Sequence, residues 1–142
     1  MKCTIVRLTL FLLEVFAALG AIAGGLALLA GVIRFPLEQL QATPFRDYTI
    51  PALILAMVVG GSSLVAAATV FLHGEFSMLI SMAAGLILAG WIIGEVLLLG
   101  PFAITWQLQY FVLGLVIFGL AMYLWMKHYR SQHHHIRNAN HV

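Results

Sequence analysis

Polar residues in this chain come in clusters, and the stretches between the clusters are apolar for long enough to cross a lipid bilayer. The first apolar run extends from Leu8 to Ile33, the second from Ile50 to Leu72, the third from Phe76 to Leu99 and the fourth from Ile104 to Met126. A spanning helix needs about 20 such residues. None of the runs shows the half-polar stripe of a helix that lies on a water-soluble core, so each reads as a lipid-facing helix. Pro51 suits the first turn of the second helix, where a missing N–H costs nothing. Gly100-Pro101 stops the third. The connections after the second and third runs are short, which makes neighbouring helices antiparallel. The expected fold is all-α: an integral membrane antiparallel four-helix bundle over residues 1–130, followed by a polar cytoplasmic tail over 131–142.

The first run also has the outline of a secretory signal, with Lys2 and Arg7 ahead of an apolar stretch and Ala21-Ile22-Ala23 as a small-residue site. Glu14 interrupts that apolar stretch, and the run continues past Ala23 to Ile33. Both features favour a retained span.

Composition agrees with the pattern. Hydrophobic residues make up 63% of the chain and charged residues 8%, against about 25% charged in a soluble domain. Mean hydropathy is +1.04. The net charge of +2 gives no reason to expect nucleic acid as a partner. The single cysteine, Cys3, excludes an internal disulfide and any Cys-x-x-Cys chemistry, and with it the vitamin K epoxide reductase type of membrane enzyme. Cys3 is either an inert thiol or a palmitoylation site.

Lys and Arg set orientation in a membrane. Lys2 and Arg7 precede the first run, and Lys127, Arg130 and Arg137 follow the fourth. Both termini are therefore expected on the cytoplasmic side, with Arg34 to Thr49 and the Gly100-Pro101 turn on the other. Small residues mark helix contacts in lipid. Gly20-x-x-x-Gly24, Gly90-x-x-x-Gly94, Gly60-Gly61-Ser62-Ser63 and Ala66-Ala67-Ala68 all fit that pattern.

Charges within spans are expensive and mark functional positions by default. Two carboxylates qualify, Glu14 and Glu95. Glu14 lies on the order of 9 Å from the cytoplasmic surface, and Glu95 on the order of 28 Å from it, at 1.5 Å per helical residue. They fall in opposite leaflets and are too far apart to share a proton. Glu95 is expected in an outer cluster with Trp91, Gln107 and Tyr110, joined by Trp106, Gln109, Arg34, Arg46, Asp47 and Tyr48. Arg34 or Arg46 is the expected charge partner. That cluster reads either as a ligand site or as hydrogen-bonded glue with interfacial aromatic anchors. The inner face collects Glu14, Arg7 and His73, with Arg7 close enough along the helix to pair with Glu14 or to snorkel. Those three read as a structural contact or as a proton path. The run His133-His134-His135 lacks a neighbouring carboxylate or thiol and does not share one helix face, so a solvated, partly disordered tail is expected and no metal site.

Pro44-Phe45-Arg46-Asp47-Tyr48-Thr49-Ile50-Pro51, followed by an apolar run containing Gly60-Gly61, resembles a motif of uncharacterised small four-span bacterial inner-membrane proteins. The likeness extends through Trp91, Glu95, Gln107 and Tyr110, with Ala52 standing where glycine is expected. The resemblance implies a bacterial plasma membrane and the same topology, and carries no catalytic assignment. Glu14-Val15 is also similar to the first span of small multidrug resistance transporters, which bind cations at that glutamate between two antiparallel copies. The match ends at the dipeptide. The expected function is a non-catalytic accessory, packing or oligomeric membrane component, with other membrane subunits or further copies of itself as partners. The alternative is binding, conversion or transport of a small amphipathic or lipid-like ligand at the outer cluster around Glu95. The sequence names no cofactor.

Overall fold

The computed structural model describes residues 2–32, 41, 46–72, 75–99 and 104–140. Among them the regular structure is entirely helical, with no strand. Helix α1 spans Lys2–Leu29. The second apolar run forms α2 (Thr49–Ile54), a π-helical turn (Leu55–Val59) and α3 (Gly60–Thr69). Helices α4 (Glu75–Leu99) and α5 (Ile104–Ala139) come next. All four apolar segments are long and apolar enough to cross a membrane: Thr4–Leu29, Thr49–Thr69, Phe76–Leu98 and Thr105–Arg130.

Hydropathy and hydrogen bonding disagree over where the first run stops. Helix α1 ends at Leu29, short of the expected Ile33, because Gly31 adopts a left-handed φ of 75°. The Val32 N–H then donates to the Ala27 carbonyl (3.0 Å) and the Gly31 N–H to the Leu28 carbonyl (3.3 Å). This is a Schellman cap, which glycine supports without steric penalty. The sequence stays apolar past this point, yet the helix closes.

The second span differs from the expected continuous α-helix. At its start, Asp47 Oδ1 accepts a hydrogen bond from the Thr49 N–H (3.1 Å) and supplies one of the acceptors that a first helical turn lacks. Further along, the Gly60 N–H reaches back five residues to the Leu55 carbonyl, which defines the wider turn. One extra residue there rotates α3 about the helix axis relative to α2. Pro51 and Ala52 before the turn, and Val59, Gly60, Ser63, Ala66 and Ala67 after it, are all buried.

Leu10, Ala17 and Ala21 of α1 pack with Val59, Val70, Met78, Leu88, Ile117, Ala121 and Leu124 in one core. Glycine sets the closest approaches. A methyl group on Gly85 would lie 2.7 Å from the Gly114 carbonyl oxygen, and one on Gly114 would lie 2.9 Å from the Ala89 nitrogen, so α4 and α5 meet backbone to backbone. On α1, a methyl on Gly25 would meet the Ala52 carbonyl at 2.7 Å. The outward faces remain apolar along their length. Leu12, Phe16, Leu19, Met57, Leu64, Leu86, Leu97 and Val112 are all exposed. A contiguous apolar exterior of this kind has no place in water and is consistent with a multi-pass membrane protein.

Helix α5 continues well past Met126, to Ala139, where the sequence pattern predicts a partly disordered tail. Trp125 stacks on Tyr129 at 5.8 Å, and the Lys127 ammonium lies 5.9 Å from the centre of the Tyr123 ring. The side chains of His133, His134 and His135 lie outside the described residues.

Candidate functional site

Among the described side chains, Arg7 is the first polar one met from the N-terminal end of α1 that reaches another helix. Its guanidinium donates to the Val70 carbonyl (2.8 Å) and, more weakly, to the Leu72 carbonyl (3.5 Å). The Ser77 hydroxyl donates to the same Leu72 carbonyl (3.1 Å). The last carbonyls of a helix have no partner within it, and Arg7 and Ser77 provide one for the end of α3. The expected pairing of Arg7 with Glu14 is therefore not made: the guanidinium is engaged by the second span, and Leu10, fully buried, lies between the two along α1. His73 lies outside the described residues.

Glu14 has no exposed surface. Arg7 beside Val70 and Gly25 beside Ala52 and Ala56 fix how α1 runs along the second span. That register brings Glu14 level with the segment Ser63 to Ala67. Ser81 of α4 faces the carboxyl but lies outside hydrogen-bonding geometry, and neither carboxylate oxygen has a hydrogen-bond partner. The Ser63 and Ser81 hydroxyls are likewise buried without one. Three helices of one chain thus bury a carboxyl and two hydroxyls, with Ser81 facing the carboxyl. Sequence reasoning finds Glu14 but passes over Ser81. One signal is available: Ser81 stands about as far along the third apolar run as Glu14 does along the first. The glutamate is enclosed by its own chain.

The expected cluster around Glu95 is only partly assembled. Trp91 packs against the core, and Glu95 stands one turn later, half-buried, with no hydrogen bond or ion pair among the described residues. Arg46 is exposed and makes no ion pair with Glu95. Arg34 lies outside the described residues. Asp47 is used locally, in the turn onto Thr49. Tyr48, beside it, is half-buried at the start of α2. Tyr110 turns towards α1. Its ring stacks on Phe16 at 6.3 Å, and its hydroxyl would lie 2.7 Å from a methyl on Gly20. Trp106 and Gln109 are exposed.

Gln107 is 4% exposed and stands at the wall of an open groove of about 260 Å³ between α4 and α5. Ile92, Ile93, Val96, Leu97, Leu108 and Phe111 complete that wall. Glu95 is absent from the lining, because the positions that flank it turn a different face of α4 to the groove. Glu14 and Glu95 are also far apart. Ser81 stands beside Glu14, and Glu95 lies on the order of 21 Å further along α4 at 1.5 Å per residue. The described residues contain no group of three or more His, Cys, Asp or Glu able to hold a metal ion.

Comparison with known proteins finds no matching family model, no similar curated protein and no similar solved structure.

Proposed function

We propose that this chain is a multi-pass component of a bacterial inner membrane. It forms an antiparallel four-helix bundle with both termini cytoplasmic, and it acts by associating with membrane partners, a second copy of itself first among them, with no catalysis of its own. The observation that carries this reading is the contrast among its glycines. Gly20, Gly25, Gly60, Gly85 and Gly114 are filled by neighbouring helices of the same chain. Gly61, Gly119, Gly90 and Gly94 are not: a methyl at any of them would meet nothing within 4 Å, and Gly90 and Gly94 are the pair spaced four apart on one helix. Gly90 and Gly94 lie on the outward side of α4, near the exposed Ala83, Leu86 and Leu97. In lipid, helices associate through close packing of small residues, and a Gly-x-x-x-Gly face unused inside the bundle suits a helix of another chain.

Gly90→Leu and Gly94→Leu test this reading. Each is expected to leave helicity and extraction from membranes unchanged while weakening self-association at least about tenfold, read by energy transfer between labelled copies in liposomes. If the parent protein shows no self-association, or if both substitutions leave it intact, the reading fails. The ligand alternative at Glu95 has less support, since the groove and the carboxylate occupy different faces of α4.

A further inference from the structure

Self-association leaves the polar group at the heart of the bundle without a role. Glu14 is fully buried on α1, Ser63 on α3 and Ser81 on α4, and the oxygens of all three side chains lack hydrogen-bond partners. Burying a carboxylate without a partner is among the most unfavourable arrangements available to a side chain. Packing alone would be served better by leucine or alanine. We propose that Glu14 is an exchangeable proton-binding site, with Ser81 as the hydroxyl beside its carboxyl, and that it exchanges protons with the face of the membrane on which Arg7 stands.

Three features decide between a proton and other occupants. A proton neutralises the carboxyl without adding volume. A metal ion requires several oxygen ligands around it and the space to seat them, and the described residues hold no group of three or more His, Cys, Asp or Glu to supply them. Second, the enclosure is unequal on its two sides. Towards Arg7 the seal is Leu10, Val70 and Met78, about one helical turn thick. Towards Glu95 the core continues through Ala17, Ala21, Val59 and Leu88 to Trp91. Local opening therefore reaches Glu14 first from the Arg7 side.

Third, the charged surroundings are sparse. Arg7 stands two turns from Glu14 on the same face of α1, bonded to carbonyls of the second span. Between Thr49 and Leu72 there is no charged or titratable residue. From Phe76 to Leu99 there is only Glu95, on the order of 21 Å away. On α5, Tyr110 packs against Phe16 and Gly20 at the Glu95 end, and Tyr123 and Lys127 are exposed. His128 and Tyr129 stand beyond the core residue Leu124. Among the described side chains Glu95 is the only other carboxylate within the spans, and His73 and the Glu75 side chain lie outside the described residues. The step itself is simple: the O–H bond of the carboxyl breaks, its electron pair stays on the carboxylate, and water admitted by the opening takes the proton.

Infrared spectroscopy of the full-length protein in liposomes tests the proposal, with carbodiimide labelling mapped by mass spectrometry as the second measurement. A protonated-carboxyl C=O band is expected that shifts in deuterium oxide, persists in Glu95→Gln and vanishes in Glu14→Gln. Ser81→Ala is expected to move its frequency. Between about pH 5 and about pH 9, the range over which buried carboxyls titrate, both the band and the labelling of Glu14 are expected to fall at least about tenfold. Labelling needs only the parent protein, so it answers even if Glu14→Gln does not fold. Two results overturn the proposal: a carboxyl at Glu14 that never protonates, or one whose band and labelling stay constant across that range and do not respond to deuterium oxide.

Discussion

Gly31 shows how much one residue decides at the smallest scale. Its φ of 75° ends α1 and turns the chain. A side chain in that conformation costs about 1–2 kcal/mol. Gly31→Ala is therefore expected to lower stability by about 1 kcal/mol, measured by thermal unfolding in detergent micelles. Arg7 acts at the opposite end of the same helix. Arg7→Met leaves the Val70 and Leu72 carbonyls without that donor, and an expected loss of about 1 kcal/mol, the middle of the range for a hydrogen bond partly open to solvent, would appear in the same assay. Arg7→Lys should recover part of it. Glu14 separates two further variants. Glu14→Ala leaves a void in the core and is expected to cost about 2 kcal/mol or more. Glu14→Gln keeps the volume, adds a donor for Ser81 and is expected to be at least as stable as the parent. The carboxylate is visible in the sequence as a charge inside an apolar run. Its neighbour Ser81 is not, because serine in a membrane helix ordinarily bonds back to its own backbone, as Ser62 does to the Val59 carbonyl at 3.0 Å.

Among elements, one backbone-to-backbone contact joins helices through residues that no local motif marks. Gly85 and Gly114 belong to different helices, and neither sits in a Gly-x-x-x-Gly repeat that would have drawn attention to it. Gly85→Leu drives a side chain into the backbone of α5 and is expected to cost at least the 1–3 kcal/mol typical of overpacking, seen as loss of monodisperse protein on size-exclusion chromatography. Gly90→Leu, on the open face of the same helix, is expected to leave that profile of the monomer unchanged. The π turn offers a second contrast. It amounts to one residue inserted into an α-helix. Deletion of the exposed Met57 is expected to restore a regular helix and keep folded yield within about twofold. Deletion of Leu64 from α3 rotates one half of the buried face by about 100° against the other and is expected to abolish folding. Hydropathy averages over the whole run and does not register which carbonyl a given N–H reaches.

For the molecule as a whole, the main expectation concerns direction. On the positive-inside rule, Lys2, Arg7, Lys127, Arg130 and Arg137 carry the proposal that both termini are cytoplasmic. A reporter that is active only outside the cytoplasm, fused after Val142, is expected to be silent, and the same reporter placed between Arg34 and Thr49 is expected to be active. The reverse result would invert the topology and move the opening near Arg7 to the other face.

The sequence by itself determined that there are four apolar helices, roughly where each begins and ends, and that Glu14 and Glu95 stand at different depths. Those properties depend on composition and on rise per residue, and both are local. Tertiary structure alone decided which polar groups meet. It drew Arg7 onto the second span, turned Tyr110 towards α1, set Glu95 off the face that lines the groove and enclosed Glu14 with Ser81 beside it. The physical reason is rotation about the helix axis. A helix that is apolar on every side carries no signal for which side will face its neighbours, and in lipid that choice falls to the fit of small residues between backbones.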